Sequence, residues 1–479
     1  MFSEICNIRR IHIKVTTMIS VLQNQRPSSQ RPSYFINPVA IQVIAFLFSC
    51  LALPQASQAE AIPPLTLTRA VELALQNNSD LKTTQQRFAS AETTVREKKA
   101  DYYPTLENSA KGTHLYNDAG SDGTSYDTVT AALSTSVNLF NGFSDQAAVN
   151  SSNFSLLAEK NNLTRVQQST VYQTISTFMG AVTSQELITV SEENVQENRR
   201  QLARIEAFYK AGKRPVSDYY QQQAETSQAE LTLLSNERDL ENSKLEILQI
   251  IGLTATGRIQ IAAPKIPAIA SLPAELPTQN MLANALITRT DLRAQELRIK
   301  AAGEEIVRAH AGLLPKISLS AAINSTFNSK GADDFSSQFN DQGASIGVAI
   351  TMPLFDRRKT HYAETQAQIN RNKEQIAHEK LARQVGVEVE KAIQGLRIAT
   401  KQIEVAESQV QYAQQALAAS EERYNVGVAT LVDLSAAKKR AVQARYERIK
   451  AIYDRLLQQV AIAYAQGDTA GMMAMITSN

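Results

Sequence analysis

The sequence predicts a mostly α-helical protein with a small β part, built from one structural unit that occurs twice in the chain. Its landmark motifs recur after 211 to 215 residues. Long stretches without proline place apolar residues about every 3.5 positions, which is typical of coiled-coil helices. Four shorter segments, the first of them only weakly, alternate apolar with small polar residues, which is typical of strands with two unlike faces.

The first 59 residues are predicted to be a secretory signal peptide. Basic residues precede the apolar run PVAIQVIAFLFSCLAL, and Ser57-Gln58-Ala59 follows it. This is the order of a basic region, an apolar region and a small-residue cleavage site. A single membrane anchor and a lipid attached to Cys50 are alternative interpretations of the segment, and Met18 is an alternative start.

The remaining residues exclude several classes of function. Residues 1–59 contain both cysteines, five of the 49 basic residues and one of the 47 acidic residues, so the rest carries a formal charge of −2. That leaves no cysteine for a disulfide or a metal site and no basic surplus for nucleic acid. The histidines lack ligand spacing, and phosphate-loop and nucleophile motifs are absent. The chain is therefore predicted not to be an enzyme and to need no cofactor or metal.

Paired motifs define the two copies. LTLTRAVELALQNNSDL, from Leu65, corresponds to LPTQNMLANALITRTDL, from Leu276. ADYYPTLENSA corresponds to AGLLPKISLSA, and VNLFNG to MPLFDR. Repetition at a fixed distance is the signature of a duplicated structural unit. The predicted parts are a first repeat at 60–264, a second repeat at 265–467 and a C-terminal tail at 468–479.

Each copy is predicted to contain three helices in the same order. Pro104 and Pro315 follow the first helix of each copy, and proline ends a helix because it lacks a backbone donor. The second helix of each copy is long enough to reach about 100 Å at 1.5 Å per residue. The predicted helices are 66–101, 145–208 and 217–250 in the first copy, and 277–311, 356–423 and 432–466 in the second.

Both long helices carry a row of residues spaced alternately by three and four positions. This spacing predicts left-handed supercoiling against a neighbouring helix. Serine and asparagine within the rows indicate a partly hydrated interface. The first row is Ile188, Ser191, Val195, Asn198, Leu202, Ile205 and Tyr209; the second is Ile403, Ala406, Val410, Ala413, Leu417, Ser420 and Tyr424.

Two strands are predicted in each copy. Strands of this length and alternation match those that cross an outer membrane, but four strands are too few to close a barrel. If they span a membrane, several chains must therefore share one barrel. A soluble sheet with one hydrated face is the alternative. The strands are predicted at about 105–116, 127–139, 316–326 and 343–354, and the residues predicted to face lipid are Val129, Leu133, Val137, Ile346, Val348 and Ile350.

A helical hairpin tip is predicted near 210–218 in the first copy and near 425–433 in the second. Gly212 and Gly427 are predicted to stop the helices in the left-handed conformation. Asp433 stands three residues after Thr430, so a capping box is one interpretation of its carboxylate. The segments FYKAGKRPVSDY and RYNVGVATLVDL also align Tyr209 with Tyr424 and Asp218 with Asp433.

Together, the duplicated motifs resemble those of the TolC family of outer-membrane efflux and secretion channels, from about Leu65 to Gly467. The resemblance implies a homotrimer in the bacterial outer membrane, with a twelve-stranded β-barrel and a twelve-helix periplasmic α-barrel. It also implies a periplasmic adaptor protein, an inner-membrane ABC or proton-driven transporter, and outer-membrane lipid as partners.

The same resemblance implies a gate where the hairpin tips meet at the periplasmic end. Asp433 takes the place of the family's first constriction aspartate. Ala436 stands where a second aspartate is expected, and Ala429 where a latch arginine is expected, so the latch is predicted to differ in this chain. The predicted gate residues are Asp433, Asp218, Tyr424, Tyr209, Arg214 and Lys213.

The resulting prediction is an exit duct of a tripartite efflux or type I secretion system. Such a duct passes small molecules or unfolded proteins from an inner-membrane pump across the periplasm and the outer membrane. The sequence leaves the cargo open. A periplasmic adaptor or coiled-coil scaffold is the alternative function, but adaptors usually carry one helical hairpin, whereas this chain has two hairpins and strands of bilayer length.

Overall fold

The computed structural model describes residues 64–116, 125–254, 259–264, 277–328 and 341–477. The first half contains α1 (Leu67–Asn77), α2 (Ser79–Ala100), β1 (Thr105–Tyr116), β2 (Ser125–Asn141), α3 (Ser144–Lys210) and α4 (Val216–Ile250). The second half contains α5 (Thr278–Thr288), α6 (Thr290–His310), β3 (Lys316–Asn328), β4 (Asp341–Thr351), α7 (Lys359–Asn425), α8 (Leu431–Gln466) and α9 (Thr469–Thr477). The predicted signal peptide lies outside the described residues.

The predicted fold class, long helices with four strands, is confirmed. Helices α3 and α7 each contain 67 residues and are therefore about 100 Å long. Helices α4 and α8 begin just after the hairpin tips and run back along them. No described helix combines the length and the apolar character that crossing a bilayer as a helix requires.

Two of the predicted helices are each divided in two, so the prediction of one helix at 66–101 and one at 277–311 was wrong. At the first break, Asn78 leaves the helical conformation, with φ −55° and ψ 131°. Its Oδ1 accepts hydrogen bonds from the N–H groups of Asp80 and Leu81, each at 3.0 Å. Asparagine favours such local bonds over a continuous helix, so α1 ends and α2 begins here.

The second break lies at Arg289, which is buried between α5 and α6. Its guanidinium bonds Glu388 of α7 and, at 2.6 Å, Asp291. Arg165 of α3 lies 3.6 Å from the same Asp291 carboxylate and 4.1 Å above the ring of Tyr464 in α8. Burial opposes ionisation, but the bonds and charge of Arg289 outweigh it and lower the pKa of Asp291. The cluster therefore ties α3, α7 and α8 to the break.

The strands form one antiparallel sheet in the order β1-β2-β3-β4. Directly paired residues share a face. Leu133 pairs with Ile323, and Leu319 pairs with Val348, so apolar side chains collect on one face, while Ser134 and its alternate neighbours lie on the other. β4 ends at Thr351 rather than near 354. Within the described residues, the outer edges of β1 and β4 have no strand partner.

The long helices form a layer that joins the two halves. Helix α3 packs against α2, α6, α4 and α8, while α7 packs against α6 and α8. Near the tips the order across the layer is therefore α4, α3, α8 and α7. The main apolar core lies where α1, α3, α4 and α8 meet. Its large buried members include Val71, Ile175, Phe178, Ile247 and Val460.

The C-terminal segment is packed. Residues expected to be a tail form α9, and Met472 in this helix is fully buried in the main core. The α8 helix ends at Gly467, which has φ 75°. Gln168 of α3 donates hydrogen bonds to the carbonyl of Gly467 at 2.9 Å and to Thr469 Oγ1 at 3.1 Å. These contacts hold the turn between α8 and α9 against α3.

The predicted rows of α3 and α7 lie in packed positions, where every member except Tyr209 is buried or half-buried. Ser191 and Asn198, two polar members of the first row, bond to neighbouring helices. Ser191 Oγ lies 2.7 Å from Tyr446 Oη in α8 and accepts a hydrogen bond from Asn236 Nδ2 of α4, also at 2.7 Å. Buried polar groups require such partners, so the serine in the row links three helices.

Candidate functional site

Both hairpin tips turn at a glycine in the left-handed conformation. Gly212 has φ 69° and Gly427 has φ 81°. In each turn, the N–H after the glycine donates to the carbonyl five residues earlier at 2.8 Å, and the glycine N–H donates to the carbonyl three residues earlier. This Schellman pattern satisfies the last helix carbonyls and requires a positive φ, which residues with a Cβ rarely adopt.

The two tips of one chain contact each other through Arg214 and Tyr424. The guanidinium carbon of Arg214 lies 4.5 Å from the ring centroid of Tyr424, within the range of cation–π attraction. Arg214 Nη1 also lies 3.7 Å from Asp218 Oδ2 in the first turn of α4. Tyr424 is only 5% exposed. Its ring belongs to an apolar cluster with Ile205, Ala429, Leu431 and Leu434.

The hydroxyl of Tyr424 is buried and has no hydrogen-bond partner among the described residues. Burial raises the pKa of Tyr424, the Arg214 charge opposes this effect, and Asp218 adds to it. The phenol is therefore neutral at physiological pH. It is the ring of Tyr424, and not its hydroxyl, that makes the contact with the first tip.

Asp433 forms a capping box with Thr430 at the start of α8. Its Oδ2 accepts hydrogen bonds from Thr430 Oγ1 at 2.7 Å and from Thr430 N at 3.0 Å, and its own N–H donates to Thr430 Oγ1 at 3.2 Å. These bonds to Thr430 lower the pKa of Asp433. The residue is exposed, so capping the helix leaves its charge on the tip surface.

The remaining predicted gate residues lie around the first tip. Tyr209 is 40% exposed and stacks on Tyr219, with ring centroids 5.8 Å apart. Lys213, at the turn itself, is exposed. The structure therefore divides the predicted gate residues into two sets. Arg214, Asp218 and Tyr424 share one contact, and Asp433, Tyr209 and Lys213 lie outside it.

Three apolar residues that the sequence analysis did not single out surround the second tip. Val426, Val428 and Val432 are 71%, 69% and 63% exposed. Their position was the available signal, because Val426 and Val428 flank the exposed turn at Gly427 and Val432 follows in the first turn of α8. Contiguous exposed apolar side chains commonly mark an interaction surface.

The residues predicted to face lipid lie together on the apolar face of the sheet. Register places Val137 opposite Leu319, which is itself opposite Val348, and places Ile350 opposite Ile317. Most of these side chains are exposed, and Val137 is half-buried. The exposed members are Val129, Leu133, Ile346, Val348 and Ile350.

Comparison with known proteins places the chain among outer-membrane channels. It is 24% identical over 410 residues to the outer membrane efflux protein BepC of Brucella suis biovar 1, covering 84% of this chain and 85% of BepC. It is 23% identical over 319 residues to the outer membrane protein TolC of Escherichia coli K12, covering 63% and 62% of the two chains.

Solved structures show the same fold. The crystal structure of CusC, reported with its transmembrane channel formation, aligns with a TM-score of 0.73 and 19% identity over 92% of this chain and 98% of CusC. The outer membrane protein VceC of Vibrio cholerae aligns with a TM-score of 0.70 and 19% identity over 84% and 96%.

Both halves of the chain also match a single family description. The family of outer membrane efflux proteins matches residues 70–253 and, a second time, residues 281–468. The two matched segments follow the same order of strands, long helix, glycine turn and returning helix. The chain therefore belongs to the outer membrane efflux protein family, whose members are outer-membrane channels of efflux systems with a long periplasmic extension.

Proposed function

We propose that three copies of this chain form the exit duct through which an inner-membrane pump expels its cargo across the periplasm and the outer membrane. The observation that carries the proposal is the incompleteness of one chain. Its four-stranded sheet has two unpaired edges within the described residues, and unpaired backbone groups in lipid cost several kcal/mol each. Twelve strands from three chains would pair every edge.

The edges support a head-to-tail ring. One sheet edge, β1, comes from the first copy and the other, β4, from the second. In the helical layer the outer helices near the tips are α4 of the first copy and α7 of the second. A ring in which unlike edges meet closes with rotational symmetry and leaves no edge free. The duplication of the unit makes the six half-units of a trimer nearly equivalent.

Exposed apolar residues on the outer helices support the same assembly. On α7, Ile398, Val405 and Tyr412 are spaced by seven residues and are 56%, 65% and 67% exposed. On α4, Leu231 and Leu234 are about as exposed. Seven-residue spacing is typical of a face that packs on another helix. A neighbouring chain would bury these residues.

We place the gate of this duct at the hairpin tips. Arg214 and Tyr424 hold the two tips of each chain together, and this cation–π contact contributes about 0.5–2 kcal/mol, depending on its solvation. Three copies of Asp433 would bring three negative charges to the periplasmic mouth. Their mutual repulsion favours opening, so contacts such as Arg214 with Tyr424 are needed to keep the mouth closed.

The partners we propose are a periplasmic adaptor and an inner-membrane ABC or proton-driven transporter. The exposed valines of the second tip, Val426, Val428 and Val432, offer an apolar surface for the adaptor at the end of the duct. Relatives in the family are named for export of pyoverdine in Pseudomonas putida, of toluene in the same species, and of cations in Escherichia coli. These names support small molecules as cargo over unfolded proteins.

The experiment is to cross-link the chain in outer-membrane vesicles and to record it in planar lipid bilayers. We expect a covalent trimer and a discrete ion conductance from the purified protein. A monomeric protein released into the water-soluble fraction would contradict the duct and would return the adaptor or scaffold function to consideration.

A further inference from the structure

The segment between β4 and α7 places three cations directly after a strongly exposed apolar stretch. Leu354 and Phe355 are 94% and 83% exposed. Arg357, Arg358 and Lys359 follow and are exposed as well. We call these three cations the basic junction. The corresponding segment of the first copy, Gly142 to Ser144, carries no cation, so the junction belongs to the second copy alone.

The charges of the basic junction are only partly offset by the described part of the chain. Asp356, the acid beside them, is engaged as a helix cap, because its Oδ2 accepts the Thr360 N–H at 2.8 Å. The first acid within α7, Glu364, lies 3.6 Å from His310. None of the three cations forms an ion pair with a described residue. Asp356 keeps its negative charge, so residues 356–359 carry a net charge of +2 from three cations and one carboxylate, and an anion from outside the chain would meet this net positive charge.

Backbone conformation holds two of these cations at a place where glycine would be less strained. Arg357 has φ 57° and Arg358 has φ 62°, values that residues with a Cβ rarely adopt. In the first copy the same positions are Gly142 and Phe143, with φ 70° and 69°. The turn is thus common to both copies, and only the second copy fills it with arginines.

We infer that the basic junction binds the phosphate of an anionic phospholipid, of the phosphatidylglycerol type, in the periplasmic leaflet of the outer membrane. The inference rests on the proposed orientation, with the strands in the membrane. Along the chain, the apolar face of β4, the exposed Phe355 and the cations follow the order of hydrocarbon, interface and headgroup. The dipole at the N-terminus of α7 also favours an anion.

The absence of tryptophan from the chain allows a local fluorescence test. Phe355→Trp introduces a single reporter beside the basic junction. The full-length reporter protein is reconstituted in phosphatidylethanolamine vesicles that contain either brominated phosphatidylglycerol or brominated phosphatidylethanolamine as the quencher. We expect phosphatidylglycerol to bind beside the reporter at least about fivefold more tightly than phosphatidylethanolamine does. This ratio corresponds to the attraction of an anionic lipid by one surface cation.

Substitution and salt localise the effect. Arg357→Gln/Arg358→Gln/Lys359→Gln should reduce the preference to about onefold, that is, to no discrimination between the two lipids. The matched control, Arg371→Gln/Lys373→Gln/Lys380→Gln, removes three exposed charges farther along α7 and should retain the preference. Raising the salt concentration to about 1 M should weaken the lipid preference of the Phe355→Trp reporter protein, because the screening length falls to about 3 Å. This salt test needs no substitution in the basic junction.

The outcomes separate this inference from the proposed function. Equal quenching by the two lipids in the Phe355→Trp reporter protein would overturn the inference and leave the membrane orientation standing. An equal loss of preference in the control variant, or a preference that does not respond to salt, would also overturn it. Absence of quenching by either lipid would overturn the orientation and, with it, the lipid site.

Discussion

At the hairpin tips, two residues that the sequence assigned to one gate make different contacts. Tyr424 is buried and joins the two tips through its ring, which lies under Arg214. Asp433 is exposed and bonds to Thr430 of its own helix. The first contact therefore involves both copies of the repeat, while the second is local to α8. Substitutions at the two positions should have different effects.

The ring and the hydroxyl of Tyr424 can be separated by two substitutions. Tyr424→Phe removes a buried hydroxyl without a partner in the described chain and should leave stability unchanged or raise it by up to about 1 kcal/mol. Tyr424→Ala removes the ring and should cost about 3–5 kcal/mol, the usual range for a buried aromatic. We also expect the Ala variant alone to increase conductance in planar bilayers. An equal increase in Tyr424→Phe would assign the closure to the hydroxyl.

Asp433→Asn tests whether the carboxylate acts at the pore or only as a cap. We expect weaker cation selectivity in planar bilayers with nearly unchanged trimer yield, because three charges leave the mouth of the duct. Unchanged selectivity together with a lower melting temperature would restrict Asp433 to the cap. Asp218→Asn is the matched control. It also removes one carboxylate per chain, but this carboxylate lies beside Arg214, so its loss should change cation selectivity less.

The same carboxylate predicts a pH dependence. The pKa of Asp433 in the folded chain is lower than the ordinary value of 3.8 for this side chain, so the folded state binds this proton less readily than the unfolded state. Its contribution to stability is therefore fully present above about pH 4 and is lost as the pH falls through the folded pKa. Thermal unfolding at pH 7 and pH 3 should differ less for Asp433→Asn than for the parent.

At the scale of elements, the register of the sheet brings the alternating apolar residues of the strands onto one face. Leu133→Arg or Val348→Arg should destabilise the assembled protein by about 2–4 kcal/mol near the bilayer midplane, because the charge enters lipid. Ser134→Arg and Gly347→Arg are the controls on the other face, and a Cβ added at Gly347 meets no atom within 4 Å. Trimer yield measures the difference, and equal tolerance on both faces would indicate a soluble sheet.

Asn78 provides a second test at this scale. Its side chain caps α2 and also donates to the carbonyl of Ile250 at 3.0 Å. Asn78→Ala should lower stability by about 1–2 kcal/mol through loss of the cap, as measured by thermal unfolding. The adjacent Asn77→Ala should have a smaller effect, because Asn77 does not cap a helix. An equal loss would mean that the break is set by packing alone.

At the scale of the whole molecule, the head-to-tail ring predicts which edges meet. Ser109 on β1 and Ser345 on β4 are exposed and lie on the polar face of the sheet. A bifunctional thiol cross-linker should give a covalent trimer from Ser109→Cys/Ser345→Cys and no multimer from either single variant. Covalent dimers of a single variant would instead indicate that like edges meet.

The sequence by itself determined the duplication, the long helices, the strand alternation and the glycine turns. Each of these depends on local periodicity or on the conformational freedom of single residues, such as Gly212 and Gly427, and is therefore readable without neighbours. It did not reveal the breaks at Asn78 and Arg289. The Asn78 cap is local, but asparagine occurs within helices as well, and Arg289 is held by Glu388 of α7 and by the carbonyl of Ala465 in α8.

Only the tertiary structure decided which of the predicted gate residues meet. Arg214 and Tyr424 are far apart in sequence and belong to different copies of the repeat, so no periodicity relates them. Their contact depends on α3 packing beside α8, which brings the two tips together. The same packing buries Met472 of the expected tail. Contacts of this kind arise from the arrangement of whole elements, because the free energy that fixes them comes from surfaces that are distant in the chain.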